Sequence, residues 1–242
     1  MTLLRHLAFW HHGEDPRQGR LLRRAGNLLL ITGGLVLAYP FWSSGYASIQ
    51  QTRLGNSYTA EVKAFAHELE LNANSIKQGG RPEARMQALA KLFADTLSPG
   101  KPVGRLKIPR IGLNSVVLQG KGGVANLTPE ADTAYLRSGP VHYGMTPLPG
   151  EGDPFAVAGH RTTYAAPFYS LDKLRPGDQI FVETPYGRFT YVVAKTTVVD
   201  PNDTTVLIDR GYALVLTTCT PPYSAAHRLV VWGKLTHFEF RN

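Results

Sequence analysis

Residues 212–235 read Tyr-Ala-Leu-Val-Leu-Thr-Thr-Cys-Thr-Pro-Pro-Tyr-Ser-Ala-Ala-His-Arg-Leu-Val-Val-Trp-Gly-Lys-Leu. A run of strand-forming residues stops at Cys219, two prolines turn the chain, and a second strand-like run opens at Arg228. Two strands joined in this way bring a thiol and a fixed positive charge to neighbouring strand ends. Cys219 is the only cysteine in 242 residues, which excludes an intramolecular disulfide and a multi-cysteine zinc site. A lone cysteine is ordinarily a small buried hydrophobe and a lone arginine a solvated one. The remainder of the chain decides whether this pair is more than that.

Working back from this stretch, the texture from Val103 onward is one of short apolar runs separated by Gly, Pro and Asp: 104–113, 116–118, 155–158, 179–183, 188–199, 212–218 and 229–235. Pro185-Tyr186-Gly187 between two of them signals a hairpin. The pattern predicts an all-β domain over residues 103–242, a barrel or sandwich, with short helical or loop insertions near 126–137 and 167–174.

The N-terminal part is different. Arg17, Arg20, Arg23 and Arg24 precede an uncharged run over residues 25–42. Eighteen helical residues rise about 27 Å, close to the thickness of a bilayer core. The run is therefore expected to be a single transmembrane helix. By the positive-inside rule residues 1–24 form a cytoplasmic tail, Tyr39 and Trp42 sit at the outer interface, and the β-domain is extracytoplasmic. Two alternatives are a cleaved signal peptide with an apolar core over 28–38 and a weak small-x-small site at Gly45 and Ala47, and an ordinary buried helix.

Residues 43–102 read as a helical stalk rather than core. Val62, Phe65, Ala66 and Leu69 give loose helical spacing over 58–71, Gly79-Gly80 interrupts it, and Met86, Leu89, Leu92 and Phe93 repeat it over 82–97. Ser98-Pro99-Gly100-Lys101-Pro102 then punctuates the chain as a domain boundary.

The net charge is +8, but residues 1–42 hold five arginines against two acidic groups, and the basic residues beyond are scattered singly. That distribution lacks the basic stripe of a nucleic-acid reader and suits an anionic envelope surface. An unpaired thiol outside the cytoplasm is open to oxidation, so its presence there implies use. The histidines are scattered without a His-x-x-x-His pair, and no acidic pair occupies a strand-end context, so neither a metal site nor glycoside chemistry is expected.

A second candidate lies at Ala156-Val157-Ala158-Gly159-His160-Arg161-Thr162-Thr163-Tyr164, where an apolar strand ends in Gly-His. Glycine there lets another segment approach closely, and a strand end is a rigid place from which to aim an imidazole. His142, in a Pro/Gly-rich loop, and His227, beside the opposing charge of Arg228, compete with His160 as the base.

Ala158-Gly159-His160-Arg161-Thr162, Leu216-Thr217-Thr218-Cys219 and the downstream Arg228, in this order behind an N-terminal anchor, resemble the sortases, membrane-anchored cysteine transpeptidases of Gram-positive cell surfaces. The resemblance covers residues 104–235. The family's nucleophile motif is commonly Thr-Leu-x-Thr-Cys, and Val215 stands at its first position here. Gly139-Pro140-Val141-His142-Tyr143, Leu148-Pro149-Gly150-Glu151 and Tyr164-Ala165-Ala166-Pro167-Phe168 are most similar to class E, the housekeeping type of high-GC Gram-positive bacteria. No extended lid of the class C, pilus-building kind precedes the core.

The resemblance implies a closed eight-stranded β-barrel with short helices. It implies Cys219 as nucleophile, His160 as general acid and base and Arg228 as substrate and oxyanion support, and it makes Tyr143, Thr217 and Thr218 substrate-binding residues. It further implies that no cofactor or metal is needed. The partners are secreted proteins with a C-terminal Leu-Pro-x-Thr-Gly-like or Leu-Ala-x-Thr-Gly-like sorting signal, cleaved between Thr and Gly, and a peptidoglycan precursor or other amine acceptor at the cell wall. Tyr143 is expected to read the second motif residue, because its phenol can accept a hydrogen bond that alanine's N–H donates and proline lacks. Leu-Ala-x-Thr-Gly should then be accepted at least as well as Leu-Pro-x-Thr-Gly. Remaining alternatives are a cysteine peptidase that hydrolyses the same signal, a pilus-type class C sortase, and an inactive tethered binding domain.

Overall fold

In the computed structural model, which describes residues 16–71, 80–121, 133–152, 154–208, 211 and 213–241, eight strands close a barrel. They are β1 (Pro102–Ile108), β2 (Leu113–Gln119), β3 (Val141–His142), β4 (Phe155–Ala158), β5 (Gln179–Glu183), β6 (Gly187–Val199), β7 (Leu214–Thr220) and β8 (His227–Phe240). The spatial order is β1-β2-β3-β4-β7-β8-β6-β5, with β5 returning to β1. β2 with β3 and β4 with β7 run parallel, and the other pairs antiparallel.

The runs 155–158 and 179–183 coincide with β4 and β5. The apolar run 104–113 divides instead, because a 3-10 turn at Pro109–Ile111 and Gly112, at φ 66°, reverse the chain between β1 and β2. The two-residue β3 has too few positions to show a period. β8 continues to Phe240 because β6 offers partners as far as Gly187. Thr184 closes the hairpin before β6, its hydroxyl donating to the Gly187 carbonyl at 2.9 Å. The insertion near 126–137 contains α3 (Thr133–Leu136) in its described part, and 126–132 lie outside the described residues, as does Tyr212. The insertion at 167–174 holds a 3-10 turn, Leu171–Lys173.

Strand β4 and residues 214–216 of β7 read as unbroken apolar runs because both of their faces are covered. Phe155, Val157, Leu214, Leu216, Leu229 and Val231 enter the larger hydrophobic cluster. Their alternates Ala156, Ala158, Val215, Val230 and Trp232 enter a second one with Leu118, Leu136, Val141, Tyr143, Val206 and Leu207. The period of two thus places successive side chains in different cores.

The chain divides into two units, Met1–Phe41 and Trp42–Asn242. In the first, Leu22, Leu29, Leu30, Leu37 and Phe41 are exposed. They belong to helix α1 (Pro16–Leu71), the one helix among the described residues that is long and apolar enough to cross a membrane. Of the expected tail, residues 1–15 lie outside the described residues.

Within the second unit the expectation of a stalk apart from the core is corrected. Phe65 of α1, and Met86, Leu89, Ala90 and Phe93 of α2 (Pro82–Thr96), are buried in the larger cluster. Phe65 meets Phe93 edge-on at 5.2 Å, and both rings pack on Tyr186. Spacing of 86, 89, 90 and 93 puts one face of α2 against the barrel. Residues 98–102 are accordingly a turn into β1 rather than a domain boundary. The helices expected at 58–71 and 82–97 do form, the first as the end of α1.

A second anchor is polar. β3 is short, and on β2 ahead of its pairing with β3 the Val116 N–H donates to Gln51 Oε1 at 2.8 Å. Gln51 Nε2 donates in turn to the Val116 carbonyl at 3.2 Å and to the Ser138 carbonyl at 2.8 Å. The carboxamide of α1 thus occupies the place of a missing strand peptide. Gly139 has no Cβ to collide with that amide nitrogen.

Candidate active site

β7 and β8 pair Cys219 with Arg228 and Thr220 with His227. Directly opposed residues of antiparallel strands share a face, so thiol and guanidinium are cross-strand neighbours. Cys219 is partly exposed and unbridged. Arg228 is buried, and its Nη1 donates to the carbonyls of Ala225 at 2.9 Å and His227 at 3.1 Å. The charge therefore braces the turn that joins the two strands.

On the other side β4 delivers His160. Ala158 pairs with Thr217 in the parallel β4–β7 ladder, and the Gly159 N–H donates to the Thr217 carbonyl at 3.1 Å. The ladder ends at that pair; His160 follows Ala158 by two residues, as Cys219 follows Thr217 on β7. Gly159 is required here: a Cβ would strike the Phe168 ring, which folds over it while the Phe168 N–H donates to the His160 carbonyl at 3.1 Å. The turn between them holds Tyr164, Ala165 and Ala166 at positive φ. The Tyr164 ring lies 5.2 Å from the His160 imidazole, and the Arg137 guanidinium lies 5.9 Å from the Tyr164 ring. Burial, and then the Arg137 charge, push the His160 pKa below its ordinary value. The imidazole is neutral at neutral pH, the form that can accept a proton.

Tyr143, Thr217 and Thr218 lie beneath this site. They are 1%, 1% and 3% exposed. The Tyr143 hydroxyl and Thr217 Oγ1 are 2.7 Å apart, and Thr218 Oγ1 donates to the Gly159 carbonyl at 2.8 Å. Burial raises the Tyr143 pKa, and Arg228 and Cys219 are both near enough to act on it. Buried and engaged with their neighbours, these hydroxyls form a floor under the strand ends.

The competing histidines separate clearly. His142 is buried, stacked on Phe155 at 4.9 Å and held at Nδ1 by Gln119 and at Nε2 by Thr146. Burial lowers its pKa to about 4. His227 is exposed at the start of β8. Among the described residues no group of three His, Cys, Asp or Glu side chains is placed to hold a metal.

Arg161 is a residue to which the sequence assigns no role. It is 5% exposed, and its Nη1 donates to the Cys219 carbonyl at 3.3 Å and to Thr220 Oγ1 at 2.9 Å, while Nη2 pairs with Asp172 at 3.2 Å. Its position directly after His160 was the available signal. Nothing in the sequence marks Asp172, 11 positions further on, as its partner.

The chain matches the family model described as "Sortase domain" over residues 106–236. It is 29% identical over 178 residues to Sortase SrtE1 of Streptomyces coelicolor, an alignment covering 68% of this chain and about half, 49%, of that relative. Sortase SrtE2 of the same organism is 27% identical over 241 residues, covering 92% of this chain and 87% of the relative. The crystal structure of Sortase E1 from Streptomyces coelicolor with a tripeptide in its active site is 30% identical with a TM-score of 0.50, covering 60% of this chain and 94% of that one.

Proposed function

The chain belongs to the sortase family, is class E-like and is a sortase transpeptidase, and we propose that Cys219, His160 and Arg228 are its catalytic set. The observation that carries this reading is the pairing of Arg228 with Cys219 across β7 and β8, with His160 two residues past the Ala158–Thr217 pair on the neighbouring β4. Sortases act on sorting signals and amine acceptors. In this proposal the substrate is a C-terminal Leu-Pro-x-Thr-Gly-like or Leu-Ala-x-Thr-Gly-like signal and the acceptor a cell-wall amine.

The chemistry follows from the residue types. Cys219 gives its proton to the neutral His160, and the thiolate attacks the carbonyl between Thr and Gly. A C–S bond forms, and the negative charge on the carbonyl oxygen is met by Arg228. The C–N bond then breaks as the His160 imidazolium protonates the departing glycine amine. An incoming amine attacks the thioester, gives its proton to His160 and displaces the thiolate, leaving an amide. Tyr143, Thr217 and Thr218 act from below by holding the strands that carry the reacting groups.

Product masses from a sorting peptide, measured with and without an added amine, test this function. Amine-dependent amide product is expected. Hydrolysis alone at the same rate would instead support a cysteine peptidase.

The exposed apolar segment of α1, with Arg20, Arg23 and Arg24 on its N-terminal side, supports a single-span anchor with the barrel outside the cytoplasm. Reporter fusions test the orientation: an outside-only reporter should be active after Asn242 and silent at Arg20, and the reverse pattern would overturn it.

A further inference from the structure

In the β4–β7 ladder the Thr217 carbonyl accepts from the Gly159 N–H. One repeat further, parallel geometry would direct the Cys219 N–H to the Gly159 carbonyl and the residue 161 N–H to the Cys219 carbonyl. Side chains make the bonds at both of these carbonyls. Thr218 Oγ1 donates to the Gly159 carbonyl, and Arg161 Nη1 donates to the Cys219 carbonyl and to Thr220 Oγ1. The chain leaves β4 at Gly159 and carries His160 away from the ladder, and the guanidinium of the next residue reaches back to where the peptide would have been.

This guanidinium is buried, and burying a charge is costly without a partner. The Asp172 carboxylate supplies one at 3.2 Å. Asp172 is fixed in turn by its 3-10 turn, whose Leu171 is fully buried. Three segments meet in this contact: the turn after His160, the strand end that bears Cys219, and the turn at 171–173.

We propose that Arg161 is a positioning residue: anchored on Asp172, it fixes the peptide between Cys219 and Thr220 and so the direction in which the sulfur faces His160. This rests on Cys219 and His160 being the reacting pair. Because Arg161 lies behind the strand end, its effect falls on turnover rather than on substrate binding.

The test compares Arg161→Ala, Arg161→Lys and Asp172→Asn with wild type and a Cys219→Ala control in amine-dependent transfer. It also records thermal melting and the rate of Cys219 alkylation by iodoacetamide against pH. In folded Arg161→Ala, kcat should fall about 30- to 100-fold with KM within about three-fold. Arg161→Lys should recover part of that loss, because an ammonium holds one partner but lacks the fork. Asp172→Asn should lose a few-fold, and the pH profile of alkylation should shift in Arg161→Ala.

A folded Arg161→Ala with kcat within two-fold of wild type overturns the proposal, as does a loss confined to KM or one that merely tracks melting. Should Arg161→Ala not fold, Arg161→Lys and Thr220→Val are judged by the same kcat and KM criteria. Transfer retained by Cys219→Ala would sink the catalytic reading itself. An inactive Cys219→Ala beside a fully active Arg161→Ala would sink only the role of Arg161.

Discussion

The Tyr143 hydroxyl lies 2.7 Å from Thr217 Oγ1, two residues before Cys219 on the same face of β7. This phenol belongs to the packing beneath the site, where Tyr143 and Val215 share a cluster. Tyr143→Phe should therefore cost about 0.5 to 1.5 kcal/mol of stability, one buried hydrogen bond. The ratio of kcat/KM for Leu-Ala-x-Thr-Gly over Leu-Pro-x-Thr-Gly peptides should stay unchanged. A ratio that collapses in Tyr143→Phe would restore the direct reading of the second motif residue by this hydroxyl.

Burial first, and then the charge of the exposed Arg137, disfavour the His160 imidazolium. Arg137→Gln should raise the His160 pKa toward its ordinary value. The acidic limb of kcat/KM, which belongs to the Cys219 and His160 pair as a unit, should then move to higher pH. An NMR titration of the imidazole checks the direction, and a shift to lower pH would exclude Arg137 as a contributor.

His142 makes a separate prediction about stability. Its folded pKa is about 4 against an unfolded value near 6.5, so between these limits the unfolded chain binds the extra proton. Its contribution is complete above pH 6.5 and is lost as pH falls through 4, amounting to about 3 kcal/mol. Denaturant unfolding of wild type and His142→Gln across that range should show a steeper acid loss for wild type. Parallel curves would contradict it.

What the sequence disclosed and what it hid follow from range. β4, β5 and the ends of β7 and β8 were legible because each is a local run bounded by turn residues, and Cys219, His160 and Arg228 stand at those boundaries. The two-residue β3 carries no period, and the continuation of β8 to Phe240 depends on its partner β6. Phe65 and Met86 showed helical spacing, but whether that spacing faces a core is a tertiary fact. The bond of buried Tyr143 to Thr217, the reach of Arg161 to the Cys219 carbonyl and the pairing of Gln51 with Val116 all join residues far apart in the chain.

That last pairing predicts that the segment before the barrel is needed for its stability. Gln51→Ala removes the partner of both Val116 backbone groups and should cost about 1 to 3 kcal/mol. Gly139→Ala should destabilise as well, through collision with the Gln51 amide. In the double variant Gly139→Ala with Gln51→Ala, the second change should cost less than it does alone. Additive losses in chemical denaturation would show that the two positions are not coupled.

Intact-mass spectrometry of the enzyme incubated with a Leu-Ala-x-Thr-Gly or Leu-Pro-x-Thr-Gly peptide, without an amine acceptor, tests the assignment of the nucleophile most directly. The account predicts an adduct equal in mass to the acyl fragment ending at Thr, mapped to Cys219, discharged as an amide when an amine is added, and absent from Cys219→Ala. Transfer at the wild-type rate by Cys219→Ala, or an adduct mapped to another residue, would contradict it.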